Sequence, residues 1–202
     1  GQIERLPALA EELAGKKPAV IVATSHAATA RLVKAAPKTP IVQASGTNPV
    51  QTGHAASLAR PGGMVTGITN IAAELSVKLV ELLVAVDPRA RRVGFIIDGN
   101  IKDPTWRDTA LRSAAAYSVE AHFARPAKAD DIEPAVLSLA KQGVQALIPM
   151  PSPFVTAERH RIIRLAQDRR LLLVAQARMW SEDGALLSYG ADTSANFRRA
   201  AW

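Results

Sequence analysis

The 202 residues are 48% hydrophobic and 21% charged, enough to bury a core in one large domain or two small ones. The absence of cysteine excludes disulfides and thiolate metal sites, and no apolar run approaches the roughly 20 residues that span a bilayer. A net charge of +7 raises nucleic acid as a partner. The arginines are split between Arg89, Arg91 and Arg92 in one connection and Arg159, Arg161, Arg164, Arg169 and Arg170 on and after one helix, without interleaved aromatics, so a solvated basic surface and no nucleic-acid partner is expected.

In chain order, Ile3 to Leu13 carries a helical apolar stripe that Gly15 should stop. Ala19 to Ala23 reads as a strand buried on both faces, followed by Thr24-Ser25-His26 and a helix from about Ala27 to Ala36. Pro40 to Ala44 is the next strand, Ser45 to Pro49 its loop, and Val50 to Ala59 a helix. Arg60-Pro61-Gly62-Gly63 is a strong turn signal before a short strand over Met64 to Ile68 that contains Gly67. Ala72 to Val86 is a helix with Leu75, Leu79, Leu82, Leu83 and Val86 on one face, ended by Asp87-Pro88. Strands are expected at 92–97, 119–124, 145–149, 171–175 and 185–189. Helices are expected from Pro104 to about Tyr117, at 129–142, from Val155 to about Arg169, and from near Ser194, with a loop over Gln176 to Gly184.

Strands alternate with helices throughout, so the fold class is α/β with parallel sheets. The pattern forms two similar runs that divide near residue 70. The chain starts at Gly1-Gln2 almost directly in a helix and stops at Ala201-Trp202 in what reads as mid-helix, so it reads as a piece of a longer product.

Ligands of open α/β sheets bind beyond the C-terminal ends of the strands. The first run places Ser25, His26, Ser45, Thr47 and Asn48 there, and the second places Asp98, Asn100, Ser152, Gln176 and Arg178, with Phe154, Trp180 and Tyr189 as apolar or stacking faces. Hydroxyls and amides on preset loops orient a small polar ligand. Catalytic readings fare worse. Ser25 and His26 are adjacent but not thereby a nucleophile and base, no G-x-S-x-G elbow occurs, and His26, His54, His122 and His160 lack metal-ligand spacing. The glycines at 62, 63 and 67 precede a strand, whereas a phosphate loop follows one and opens a helix. No catalytic residue, metal or cofactor is assigned.

The motif A-x-L-A-R-P-G-G-x-V-T-G at Ala55 to Gly67, with Ala73-Glu74-Leu75-Ser76, K-L-V-E-L-L at Lys78 to Leu83 and the segment Gly184 to Gly190, resembles the substrate-binding proteins of a bacterial ABC importer family that includes tryptophan- and tyrosine-uptake proteins. Arg5 to Leu13 and Asn48-Pro49-Val50 are similar to further family segments. The resemblance implies a type I periplasmic-binding fold of two Rossmann-like lobes joined by a hinge, truncated here at both ends: residues 1–70 with 191–202 as lobe one and 71–190 as lobe two. It implies hinge positions at Gly67, Thr69 and Gly190. It further implies an extracytoplasmic monomer that binds a small metabolite, docks on a membrane permease and does no chemistry. Ser25, His26, Ser45, Thr47, Asn48, Asp98, Asn100, Ser152, Gln176 and Tyr189 are the expected ligand contacts. The chain departs from the family at Thr24 to Ala27, Thr47 to Val50, Met64 and Asp98 to Pro104. Three of these lie in expected ligand loops, so the family's aromatic amino-acid ligand is not carried over. A sensory domain of the same fold and a small α/β enzyme are the alternatives.

Overall fold

The computed structural model describes residues 3–46, 48–69, 72–102 and 104–201. Its contacts divide the chain into two compact units, residues 1–71 with 191–202 and residues 72–190.

In the first unit a 3-10 turn, Ile3–Arg5, leads into helix α1 (Leu6–Gly15). Gly15 is inside this helix. The reversal comes two residues later, at Lys17, whose φ is +48°. Strand β1 (Ile21–Ala23), helix α2 (His26–Ala35) and strands β2 (Ile41–Gln43) and β3 (Val65–Gly67) follow. The three strands form a parallel sheet in the order β1-β2-β3. Ala10 and Leu32 of the helices pack with Ile21, Ala23, Ile41 and Val65. The first strand is not buried on both faces, as its apolar run led one to expect. Ile21 and Ala23 are buried, but Val20 and Val22 are 49% and 57% exposed.

The helix expected over 50–59 is also absent. After one turn, in which the amides of His54 and Ala55 both donate to Pro49 O, Gly53 takes φ +72° and the chain leaves the helical path. Ser57 Oγ then accepts from the Arg60 amide at 3.0 Å, and the Ala56 amide donates to Pro61 O at 2.8 Å, so 56–61 closes as a turn.

The second unit opens with α3 (Ala72–Val86), β4 (Arg92–Ile96), α4 (Thr105–Ala116) and β5 (Glu120–Ala124). A 3-10 turn at Ala129–Asp131 runs into α5 (Ile132–Lys141), then β6 (Ala146–Pro149), α6 (Pro153–Ala157), α7 (Arg159–Asp168), β7 (Leu172–Ala175), α8 (Arg178–Glu182) and β8 (Leu187–Ser188). The single helix expected over 155–169 is two, broken at Glu158. The segment expected as loop, 176–184, holds the one-turn α8, anchored by buried Trp180. Helix α9 (Thr193–Ala200) returns to the first unit.

The five strands pair in parallel in the order β5-β4-β6-β7-β8. Strand side chains alternate between two cores. Val93, Phe95, Ile148 and Val174 join Leu79, Leu83, Ala110 and Ala114 of α3 and α4. Ile96, Leu147 and Leu173 join Val136, Leu139, Ile162 and Ile163 of α5 and α7. Covering both faces explains why these strands are apolar runs. At Gly94 an added Cβ would fall 2.9 Å from Leu139 Cδ1 and Leu147 Cδ2, so glycine admits the α5 leucine onto the sheet.

Candidate functional site

Because all strands in each sheet are parallel, the loops after them gather at one edge of that sheet. In the first unit this edge carries Ser25, His26, Ser45 and Asn48. Ser25 is the N-cap of α2, its Oγ accepting from the Ala28 amide at 3.3 Å. His26 is the first residue of that helix, and its ring stacks on that of His54 with centroids 6.0 Å apart and planes at 30°. Asn48 Oδ1 accepts from the Val50 amide at 3.0 Å, which folds the loop on itself and keeps the side-chain amide NH2 available as a donor. Thr47 lies outside the described residues, as do Asn70 and Asp103.

In the second unit the corresponding edge carries Asp98 and Asn100 after β4, Ser152 after β6, Gln176 directly after β7 and Tyr189 after β8. Ser152 repeats the role of Ser25: its Oγ accepts from the Val155 amide at 3.0 Å and caps α6. Asp98 is 1% exposed, and its Oδ1 accepts from both the backbone and side-chain nitrogens of Asn100, at 2.9 and 3.0 Å. Asn100 Nδ2 also donates to Ala127 O at 2.8 Å, tying the β4 and β5 loops together. Gln176 Nε2 donates to Ser76 Oγ at 2.9 Å, fixing the amide to the start of α3. Tyr189 is half-exposed.

The hinge candidates sit where the backbone is tightest. A Cβ at Gly67, whose φ is +133°, would fall 2.1 Å from Gln43 O; one at Gly190 would fall 1.7 Å from Gln176 O. Thr69 Oγ1 donates to Gly46 O at 3.4 Å. Two residues at these edges were not among the expected contacts. Gln43 ends β2, is buried and donates to Ile68 O at 3.4 Å; Ser76 is fully buried beneath Gln176. A polar residue inside the apolar stretch Pro40 to Ala44 was the available signal for Gln43. Nothing in the helical pattern of α3 singled out Ser76.

A groove on the second unit lies at the opposite edge, where the strands begin. It is lined by Asp87, Arg89, Gln145, Arg169 and Arg170 and belongs to none of these loops. The arginines are partly neutralised: Arg159 pairs with Asp183 at 2.6 Å, Arg161 with Glu133 at 3.4 Å and Arg92 with Glu120 at 3.3 Å. His122 lies between Gln142 Oε1 (2.9 Å) and Glu120 Oε1 (3.0 Å), and His160 is exposed 3.7 Å from Asp183. Among the described residues no group of three or more His, Asp or Glu is placed to hold a metal ion, and no helix is long and apolar enough to cross a membrane.

The fold is that of solved periplasmic binding proteins of type 1. The chain is similar to the ABC domain from Streptococcus pneumoniae solved in complex with L-Trp, at 17% identity and a TM-score of 0.83, covering 100% of this chain and 69% of that one. A conserved domain protein from Vibrio cholerae O1 biovar El Tor matches at 22% identity and a TM-score of 0.88, covering 100% and 67%. The solute binding protein of an ABC transporter from Rhodopseudomonas palustris, solved with 3,4-dihydroxybenzoic acid, matches at 14% and 0.59, covering 86% and 48%. No curated protein matches the sequence. Residues 1–199 match the family of ABC transporter substrate binding proteins, and to that family the chain belongs.

Proposed function

We propose that this chain is the solute-binding component of a bacterial ABC importer. In this reading the two units are its lobes, divided near residues 70 and 190. A small metabolite, either an amino acid or an aromatic or carboxylated compound, binds between the loops at the C-terminal edges of the two sheets. Gly67, Thr69 and Gly190 belong to the crossings between lobes. Ligand contacts available only in the closed state stabilise closure, and the loaded protein docks on a membrane permease outside the cytoplasm without altering the ligand.

The observation that carries this reading is the placement of the polar residues. Each described candidate follows a parallel strand at its C-terminal end, the region where open α/β sheets receive ligands. The hydrogen bonds support it further. Ser25, Ser152, Asn100 and Gln176 are each tied to backbone or to a neighbouring side chain, so their loops are set before a ligand arrives.

His26 and Asn48 sit in the two loops of the first unit and are the first targets. The double variant His26→Ala/Asn48→Ala is expected to fold and to lose saturable binding of the metabolite that the unaltered protein takes up, read by titration calorimetry. Undiminished binding by the double variant would remove the site from these loops.

A further inference from the structure

Asp98 is nearly inaccessible to solvent, and only one of its two carboxylate oxygens finds a hydrogen-bond donor among the described residues. Oδ1 takes two donors from Asn100. Oδ2 is buried and has no hydrogen-bond partner among the described residues. A buried carboxylate is costly unless its charge is met, yet two cations of the same loops, Arg125 and Lys102, bond to carbonyls instead. Arg125 Nη2 donates to the carbonyl of Ile101, and Lys102 Nζ lies 3.5 Å from Gly99 O. The position is held firmly: the Gly99 amide donates to Pro126 O at 2.8 Å, and a Cβ at Gly99 would fall 2.6 Å from Arg125 O. Firm placement at a strand's C-terminal end thus leaves a covered acceptor that no described residue of the chain meets.

From this geometry we infer that Asp98 Oδ2 receives a protonated amine of the bound solute. The ligand class is thereby narrowed to compounds bearing an ammonium group, and acids that lack one are disfavoured. Oδ1 remains committed to Asn100, so the carboxylate presents a single oxygen and a fixed direction. A cationic donor is the match for it, because a charge-assisted bond both fills the empty acceptor and neutralises the buried charge. The inference rests on the reading of the β4 loop as part of the solute site.

The test uses matched pairs of probes: L-tryptophan with indole-3-propionate and L-leucine with 4-methylpentanoate, together with the other L-amino acids, and benzoate and 3,4-dihydroxybenzoate as acids without an amine. Calorimetry on the unaltered protein is expected to show the amine-bearing member of a pair bound at least about tenfold tighter than its amine-free counterpart. Asp98→Asn, which keeps the acceptor toward Asn100, is expected to lose roughly thirty-fold or more in affinity for that amine and to erase the preference. Without ligand its Tm is expected to hold or rise. Binding of amine-free acids alone, or a preference unchanged by the substitution, overturns the role of Asp98 while the solute-binding reading stands. A fall in Tm with an unchanged ligand profile marks Asp98 as structural and also overturns it. Binding of no probe by the unaltered protein contradicts both readings together.

Discussion

Gly190 lies so close to Gln176 that a Cβ on the glycine would fall 1.7 Å from the glutamine's carbonyl oxygen. The first unit has the same arrangement, with Gly67 against Gln43 at 2.1 Å. In both, a glutamine at or just past the C-terminal end of one strand faces a glycine at or just past the end of the next. Neither Gly67→Ala nor Gly190→Ala can be absorbed by a flexible side chain, because the obstacle is backbone. Each is expected to lower stability by about 3 kcal/mol or more, with added strain at Gly67 from its positive φ. Gly15→Ala is the control. It sits in α1 with nothing within 4 Å of the added methyl, and a stabilisation of about 0.5 kcal/mol is expected. Urea unfolding of the three variants compares them directly.

The two serine caps give a second expectation. Ser152→Ala removes the acceptor for the Val155 amide at a nearly buried helix start, and should cost about 1 kcal/mol in thermal or urea unfolding. Ser152→Asp retains an acceptor there and should recover most of that loss. A Ser152→Ala protein as stable as the unaltered one would show that the hydroxyl does not cap α6.

Gln145 clamps the connection before β4. Its Oε1 accepts from the amides of Arg91 and Arg92, at 3.0 and 2.8 Å, and its Nε2 donates to Arg89 O at 2.9 Å. Gln145→Ala is expected to cost about 2 kcal/mol. Gln145→Glu keeps two of the three bonds and places a carboxylate beside the Arg89 carbonyl, so an intermediate loss is expected. Equal stability of all three proteins in urea would remove the clamp.

A pH-dependent contribution comes from the surface of α3. The Glu81 carboxyl is held below the usual carboxylate range, first by the hydrogen bond from Lys78 and then by that from Tyr117, whose phenol is 2.9 Å away. The same bonds raise the Lys78 ammonium and the Tyr117 hydroxyl above their ordinary values. A lowered acid stabilises the fold above its unfolded pKa and loses that contribution as pH falls through its folded one. A raised base or phenol contributes below its unfolded pKa and loses it as pH rises through the folded one. The trio therefore favours the fold over the range between acid and alkaline titration. NMR titration of Glu81 is expected to give a midpoint below that of a free glutamate, and Tyr117→Phe should move it upward. A midpoint unmoved by Tyr117→Phe would show that the phenol contributes nothing.

The legibility of the chain followed burial. The central strands of the second unit stood out because both faces are covered, so Val93 to Ile97 and Ala146 to Pro149 are uninterrupted apolar runs. Periodicity misled where turn chemistry governs. The residues 50–59 have helical spacing, yet Pro49 and a left-handed Gly53 confine them to one turn and a loop. Val20 and Val22 read as buried because hydropathy does not record whether a helix covers a given face. Helix α8 is too short for its period to register. At the strand ends, the positions of Ser25, Asn48, Asp98, Ser152 and Gln176 followed from strand order alone. Their hydrogen-bond partners did not, since Gln176 meets Ser76 from 100 residues away and the unmet oxygen of Asp98 is a property of packing.

Solute binding is measured most directly by native mass spectrometry of the purified protein, with identification of the released compound and its rebinding under a thermal melt. One small metabolite per chain is expected, released chemically unchanged, whose return raises Tm in a saturable way that grows with the logarithm of its concentration. A protein that carries no ligand and shows no saturable shift with amino acids or aromatic acids would contradict solute binding, and so would recovery of a compound chemically different from the one supplied.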